Sequence, residues 1–190
     1  MLKRAFRLAL RAGRVSTVPW FPTVHVENAR QGFFEEAEFE RVAAHLSEHV
    51  RPLAEFLYLT GWRKSEALGL EWRHVDSVAG VVRIETTKNG EPRTLPFRAL
   101  PELVALLKRQ QEMTDAVEKD RGIVVRAVFH RNGKPISDFR GAWDTACAKA
   151  GVVGKVPHDF RRTAVRRMER AGVSRSVANE GHRPQDGGRL

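Results

Sequence analysis

Residues 81–87, Val-Val-Arg-Ile-Glu-Thr-Thr, constrain the fold of this chain more than any other segment. They are largely β-branched, follow Gly80, and lead into Asn89-Gly90, a dipeptide that supplies the left-handed residues of a tight hairpin turn. Arg93-Thr94-Leu95-Pro96 is then the natural return strand. On both sides of this hairpin the pattern is helical. Phe39, Val42, Ala43 and Leu46 mark one helical face between Glu35 and His49, and Pro52 to Leu59 form a more apolar helix broken by Gly61. A short helix over 65–70 follows. Further helices are expected over 101–118, 137–150 and 158–171, with Gly133, Gly151, Gly154 and Gly172 as interruptions. The expected fold class is therefore mainly α with a small antiparallel β-sheet, that is, α+β.

Ahead of this domain, Leu2 to Arg11 places apolar residues at helical spacing among Lys3, Arg4, Arg7 and Arg11, with no acid. It reads as an amphipathic, cationic helix. Pro19 and Pro22 then suggest an extended linker reaching Gly32. The expected organisation is a helix within 1–14, a linker over 15–32, the main domain over 33–180 and a distinct tail over 181–190. That tail lacks apolar periodicity and carries adjacent glycines, so it is expected to form no packed helix.

A chain of 190 residues with 42% apolar content can bury one sizeable core. Its 33 Lys and Arg against 23 Asp and Glu favour an extended polyanionic partner such as nucleic acid, a ribosome-associated or merely well-solvated basic protein being the alternative. Cys147 stands alone, which excludes an internal disulfide and a multi-cysteine zinc site and suits a reducing cytoplasm. Its simplest role is that of a small buried side chain. The longest apolar run, Phe56 to Leu59, falls far short of the roughly 20 residues of a membrane span, and no secretory signal is present. A soluble, cytoplasmic protein is expected.

Two basic segments half the chain apart carry the chemistry: Thr60-Gly61-Trp62-Arg63-Lys64-Ser65-Glu66 and Pro157-His158-Asp159-Phe160-Arg161-Arg162-Thr163. Arginine forks make paired hydrogen bonds to phosphate oxygens and stay charged, while a histidine or lysine can exchange a proton near neutrality. His158 and Arg161 are three apart, so on a helix they share a face. Each residue alone is weak: Arg63 reads as surface, His-x-x-Arg as a common pattern, and Lys88 as a solvent-facing turn residue.

Together these segments, with the hairpin Thr86-Thr87-Lys88-Asn89-Gly90, resemble the tyrosine recombinase, or phage integrase, family over roughly 33–178. The resemblance implies the catalytic-domain fold of that family, without its C-terminal nucleophile segment. It implies site-specific DNA recombination or integration by strand transfer through a 3′-phosphotyrosyl intermediate, with no cofactor and no metal. It casts Arg63 and Arg161 as phosphate-binding arginines, His158 as a general acid/base, Lys88 as the group that protonates the leaving oxygen, and Glu66 as a local buttress. The implied partners are double-stranded DNA and either further copies of the chain or intact recombinase protomers, and no membrane. Lys3, Arg4, Arg7, Arg11 and Arg162 are the expected additional DNA contacts, residues 2–13 resembling the last helix of the family's separate DNA-clamping domain. Arg166 and Arg167 read as backbone contacts or solvated surface.

The chain departs from the family at its end. Family members continue to a Gly-His pair and then the nucleophilic tyrosine; counted from Arg161, that histidine falls near Pro184 and the tyrosine beyond Leu190. Here Gly181-His182 comes early and the residues after it do not match. A one-base shift of frame over 182–190 permits Thr-Gly-His and, later, the start of a tyrosine codon. The sole tyrosine, Tyr58, lies in Phe-Leu-Tyr-Leu and reads as core, as do Trp20, Trp62, Trp72 and Trp143. The expectation is a truncated or frameshifted, catalytically inactive recombinase. The alternatives are a non-catalytic DNA-binding protein that occupies recombination sites or modulates an intact recombinase, and an unstable product.

Overall fold

Proline, glycine and the apolar stripes set the elements of this computed structural model, which describes residues 2–22, 32–85 and 92–170. The chain divides into two compact units, 1–31 and 32–190. In the first, α1 (Leu2–Arg11) has no buried residue, and Lys3, Arg4, Arg7 and Arg11 are all exposed. Phe6 meets Phe21 at 5.6 Å, which returns the following segment to the helix. Trp20, expected to pack, is 85% exposed: it lies between Pro19 and Pro22, in a segment without regular secondary structure.

The second unit starts with α2 (Glu36–Ala43), whose first turn is closed by Glu38 Oε2 accepting the Glu35 N–H at 3.1 Å. The helix stops at Ala43, short of the expected His49; Leu46 and Val50 stay buried from the turns that follow. The spacing of apolar residues thus outlasts the helix. α3 (Arg51–Thr60) carries Pro52 in its first turn and buries Leu53, Ala54, Phe56, Leu57, Tyr58 and Thr60. Gly61, at φ +63°, ends it in the left-handed conformation that a side chain would resist. α4 (Lys64–Leu68) follows at once.

The sheet is antiparallel in the order β1 (Val75–Asp76), β2 (Val81–Ile84), β3 (Arg93–Pro96), with Val82 opposite Leu95 and Ile84 opposite Arg93. Thr86 to Gly90, including the expected Asn-Gly turn and Lys88, lies outside the described residues. α5 (Pro101–Arg121) runs further than the expected 118, ending at Gly122. A second hairpin, β4 (His130–Arg131) and β5 (Lys134–Pro135), turns through Asn132-Gly133, both at positive φ. The same dipeptide signal that marks 89–90 was present there. α6 (Arg140–Lys149) and α7 (Asp159–Arg170) complete the described unit, and the expected tail over 181–190 lies outside it.

The core joins these helices through aromatic rings. Phe160 of α7 meets Phe34 at 5.1 Å, Phe39 at 5.7 Å and Trp143 at 4.9 Å. Trp62 and Trp143 are buried, Trp72 is partly buried against the core, and Cys147 is buried as expected. Among the described residues no helix is long and apolar enough to cross a membrane.

Candidate functional site

Glu66 organises the site. It sits in the third position of α4, where its carboxylate reaches back to the residue that starts the helix, and its side chain is only 5% exposed. Oε2 accepts the backbone N–H of Arg63 at 3.1 Å, and Oε1 accepts Arg63 Nη1 at 2.9 Å. The Arg-x-x-Glu spacing therefore both caps a helix and fixes a guanidinium. Oε2 also accepts Arg93 Nη1 from β3 at 3.0 Å, and the Arg93 guanidinium lies 5.8 Å from the Trp62 ring. A buried carboxylate leaning on two arginines is satisfied several times over.

The second basic segment arrives on α7. Asp159 is buried, and its Oδ2 accepts the Val156 N–H at 2.9 Å, folding the turn that holds Pro157 and His158. A Cβ at Gly32 would stand 3.0 Å from that carboxylate oxygen, closer than an ordinary van der Waals contact, so the glycine eases the approach. Thr163 Oγ1 accepts the Phe34 N–H at 2.8 Å and donates to the Asp159 carbonyl at 2.9 Å. Trp143 Nε1 donates to the Lys155 carbonyl at 3.1 Å, and Lys155 Nζ donates to the Phe33 carbonyl and pairs with Glu38 at 3.2 Å. Within His-Asp-Phe-Arg-Arg-Thr, the Asp, Phe and Thr thus build the scaffold, while His158 is exposed and Arg161 and Arg162 are partly buried.

Arg63, His158 and Arg161 line one cleft of about 810 Å³, with Trp62, Lys64, Ser65, Arg140 and Asp144 around them. His158 precedes the helix instead of lying on it, because the turn held by Asp159 ends there; it is exposed at the mouth, while Arg161 is partly buried. Burial, and then the positive charges of Arg63 and Arg93, lower the Arg161 pKa from its ordinary value, opposed by Glu66. Burial likewise lowers that of Arg93, with Glu66 opposing. Lys64 is engaged by Asp138. This cluster of cations about one carboxylate has positive charge in excess, the electrostatic profile of an oxyanion site.

Of the other expected residues, Lys88 lies outside the described chain, and Arg162 is partly buried but does not line the cleft. Arg166 and Arg167, read from sequence as backbone contacts or solvated surface, lie over rings, 3.7 Å from Phe33 and 4.9 Å from Tyr58, with Arg166 exposed and Arg167 partly buried. Tyr58 is 5% exposed, stacked on Phe39 at 4.0 Å, and lines a different cavity of about 560 Å³ with Glu55 and Arg109. Burial raises the pKa of its hydroxyl. Arg93 escaped sequence reasoning, although a signal existed: it shares strand parity with the inward Leu95, and Thr94 and Pro96 are exposed. A charged residue on the core side of a strand is a residue with a partner. Among the described residues no group of three or more His, Cys, Asp or Glu could hold a metal ion.

The phage integrase family matches the sequence over residues 33–183. The chain is 24% identical over 191 aligned positions to the integrase of Salmonella phage P22, covering 94% of this chain and 48% of that protein. It thus spans about half the length of that curated relative. The fold resembles a lambda integrase dimer bound to a COC′ core site, at TM-score 0.67 and 17% identity, covering 97% of this chain and 69% of that one. It also resembles the Tn1549 transposon integrase in complex with transposon right end DNA, at TM-score 0.71 and 18% identity, covering 96% and 69%. A lambda integrase tetramer bound to a Holliday junction gives TM-score 0.69 at 18% identity, covering 100% and 58%. These likenesses give the fold, a mostly helical catalytic domain with small antiparallel sheets, and the match over 33–183 gives the lineage: the chain belongs to the phage integrase family of tyrosine recombinases.

Proposed function

We propose that this chain grips one phosphate of a DNA duplex between Arg63 and Arg161, at a site related to recombination or integration of a mobile element. The observation that carries this reading is the meeting of Arg63, Arg161 and His158 in one cleft, with Arg63 fixed on the buried Glu66. Each guanidinium can donate to non-bridging oxygens, and together they offset charge that builds on a pentacoordinate phosphorus. In this reading His158, exposed at the mouth, exchanges a proton with a phosphodiester oxygen. Lys3, Arg4, Arg7 and Arg11 on the exposed face of α1, together with Arg162, supply further backbone contacts. The lambda integrase dimer on a core site and tetramer on a Holliday junction support duplex DNA and further copies as partners, intact recombinase protomers being the alternative to further copies.

A mobility-shift titration on mixed-sequence duplex DNA over a range of salt tests the grip. Arg63→Ala and Arg161→Ala should each weaken binding and lower the salt slope by about 0.9. Unchanged affinity and slope in both variants would rule the phosphate site out.

A second reading, binding without cleavage, rests on the fact that the chain's one tyrosine is the buried Tyr58. In this form the protein occupies recombination sites or modulates an intact recombinase. Incubation with a nicked duplex that traps covalent intermediates should leave no protein–DNA adduct on a denaturing gel. An adduct would show that the chain is a competent recombinase.

A further inference from the structure

We infer that Arg93 is a positioning residue of the phosphate site, one that keeps the Arg63 fork open for the phosphate. The inference rests on the reading of that site given above and adds a residue and a role to it. An arginine beside a carboxylate ordinarily closes on it with two parallel hydrogen bonds, since the fork and the carboxylate match in geometry. Arg63 and Glu66 do not do so. Oε1 takes Arg63 Nη1, whereas Oε2 is held by Arg93 Nη1 at 3.0 Å and by the Arg63 backbone N–H at 3.1 Å. With Oε2 engaged in this way, Glu66 anchors Arg63 through one nitrogen, and the remaining donors of that guanidinium stay available to a second anion.

The setting of Arg93 suits this task. Its side chain is 16% exposed, on the inward side of β3 opposite Ile84, and its guanidinium rests near the Trp62 ring. The indole and the strand fix its position independently of any ligand. Trp62, Arg63 and Glu66 all come from the turn and first helical residues after Gly61, so Arg93 ties the sheet to that turn. Without Arg93, Oε2 keeps only the weaker, neutral bond from the Arg63 backbone N–H, and the fork of Arg63 competes for it, which draws that guanidinium away from the cleft.

The test is a double-mutant cycle on DNA affinity, with a mixed-sequence duplex of about three helical turns at several salt concentrations. Arg93→Met should weaken binding about fivefold in the otherwise unaltered chain and have no further effect in an Arg63→Ala background. Arg93→Lys, which can still hold Oε2 with one nitrogen, should restore most of the affinity. A purely structural role would lower the melting temperature in both backgrounds yet leave affinity per folded molecule unchanged, and that result overturns the inference. Equal weakening in the two backgrounds also overturns it, because Arg93 would then act on DNA independently of Arg63. If Arg93→Met does not fold, the same cycle with Arg93→Lys and Arg93→Gln reads the coupling. Failure of Arg63→Ala to weaken binding refutes the phosphate site itself, whereas an effect of Arg63→Ala without one of Arg93→Met refutes this inference alone.

Discussion

Among the described residues, two carboxylates each hold two arginines, and one of the two stands in the candidate site. Glu66 binds Arg63 and Arg93 with its own side chain 5% exposed and theirs 26% and 16%. Glu55 binds Arg51 and Arg109 with itself 15% exposed but theirs 52% and 64%. Around Glu55 the cavity also holds Glu36, Glu40 and Glu102, which balance the arginines. Around Glu66, Arg161 adds a further positive charge, which carries the imbalance toward positive. Screening makes the outer group worth little, whereas burial makes the inner one a fixed frame with charge in excess. An ion-pair motif therefore identifies a site only through its burial and its uncompensated sign.

The largest expected difference is in stability. Glu66→Ala leaves two guanidinium groups packed together without their carboxylate and should cost about 3 kcal/mol, while Glu55→Ala should cost under about 1 kcal/mol. Urea unfolding of the two variants measures this, and equal losses would break the comparison. On DNA the contrast should sharpen: Arg63→Ala is expected to weaken binding about tenfold and Arg51→Ala hardly at all, read by mobility shift.

A third polar centre separates charge from burial. His130 is fully buried, its Nδ1 accepting the Gly133 N–H at 3.2 Å and its Nε2 facing Thr114 Oγ1 at 3.0 Å, which in turn donates to the Gln110 carbonyl. This is a neutral ring, and burial, with the nearby His49, lowers its pKa while Glu118 opposes. The unfolded chain accordingly binds more protons on this residue as pH falls below about 6.5, so its contribution is complete above that value and is lost toward the folded pKa. Melting temperatures between about pH 7.5 and about pH 5.5 should fall less steeply in His130→Gln than in the unaltered protein. Parallel slopes would remove His130 as the cause. The smallest effect concerns Cys147, whose thiol is pushed up to about 11 by burial. Iodoacetamide should leave it unmodified in folded protein near pH 8 and alkylate it in denaturant, as mass spectrometry would show.

The legible part of the site followed from local pattern. Arg63, Glu66, His158 and Arg161 stand in fixed spacings because the same few residues cap α4, fold the 156–159 turn and place Phe160 in the core. Arg93 was harder to see. A strand arginine is ordinary in isolation, and what gives it a role is Glu66, which belongs to a helix before the sheet. The end of α2 was missed for a similar reason: Leu46 and Val50 satisfy a helical stripe from turns, since burial asks only that side chains reach the core. Trp20 failed in the opposite sense, an apolar residue that stays exposed.

By itself the sequence determined the element types, the charge balance, the family and the two basic segments, because helix periodicity, turn residues and capping spacings act over a few neighbours. The tertiary structure alone decided which cations meet. Arg63, Arg93 and Arg161 come from the turn after α3, from β3 and from α7, and their approach depends on the aromatic core about Phe160 and on one buried carboxylate. Packing and electrostatics at that range are properties of the assembled fold, and no local pattern encodes them.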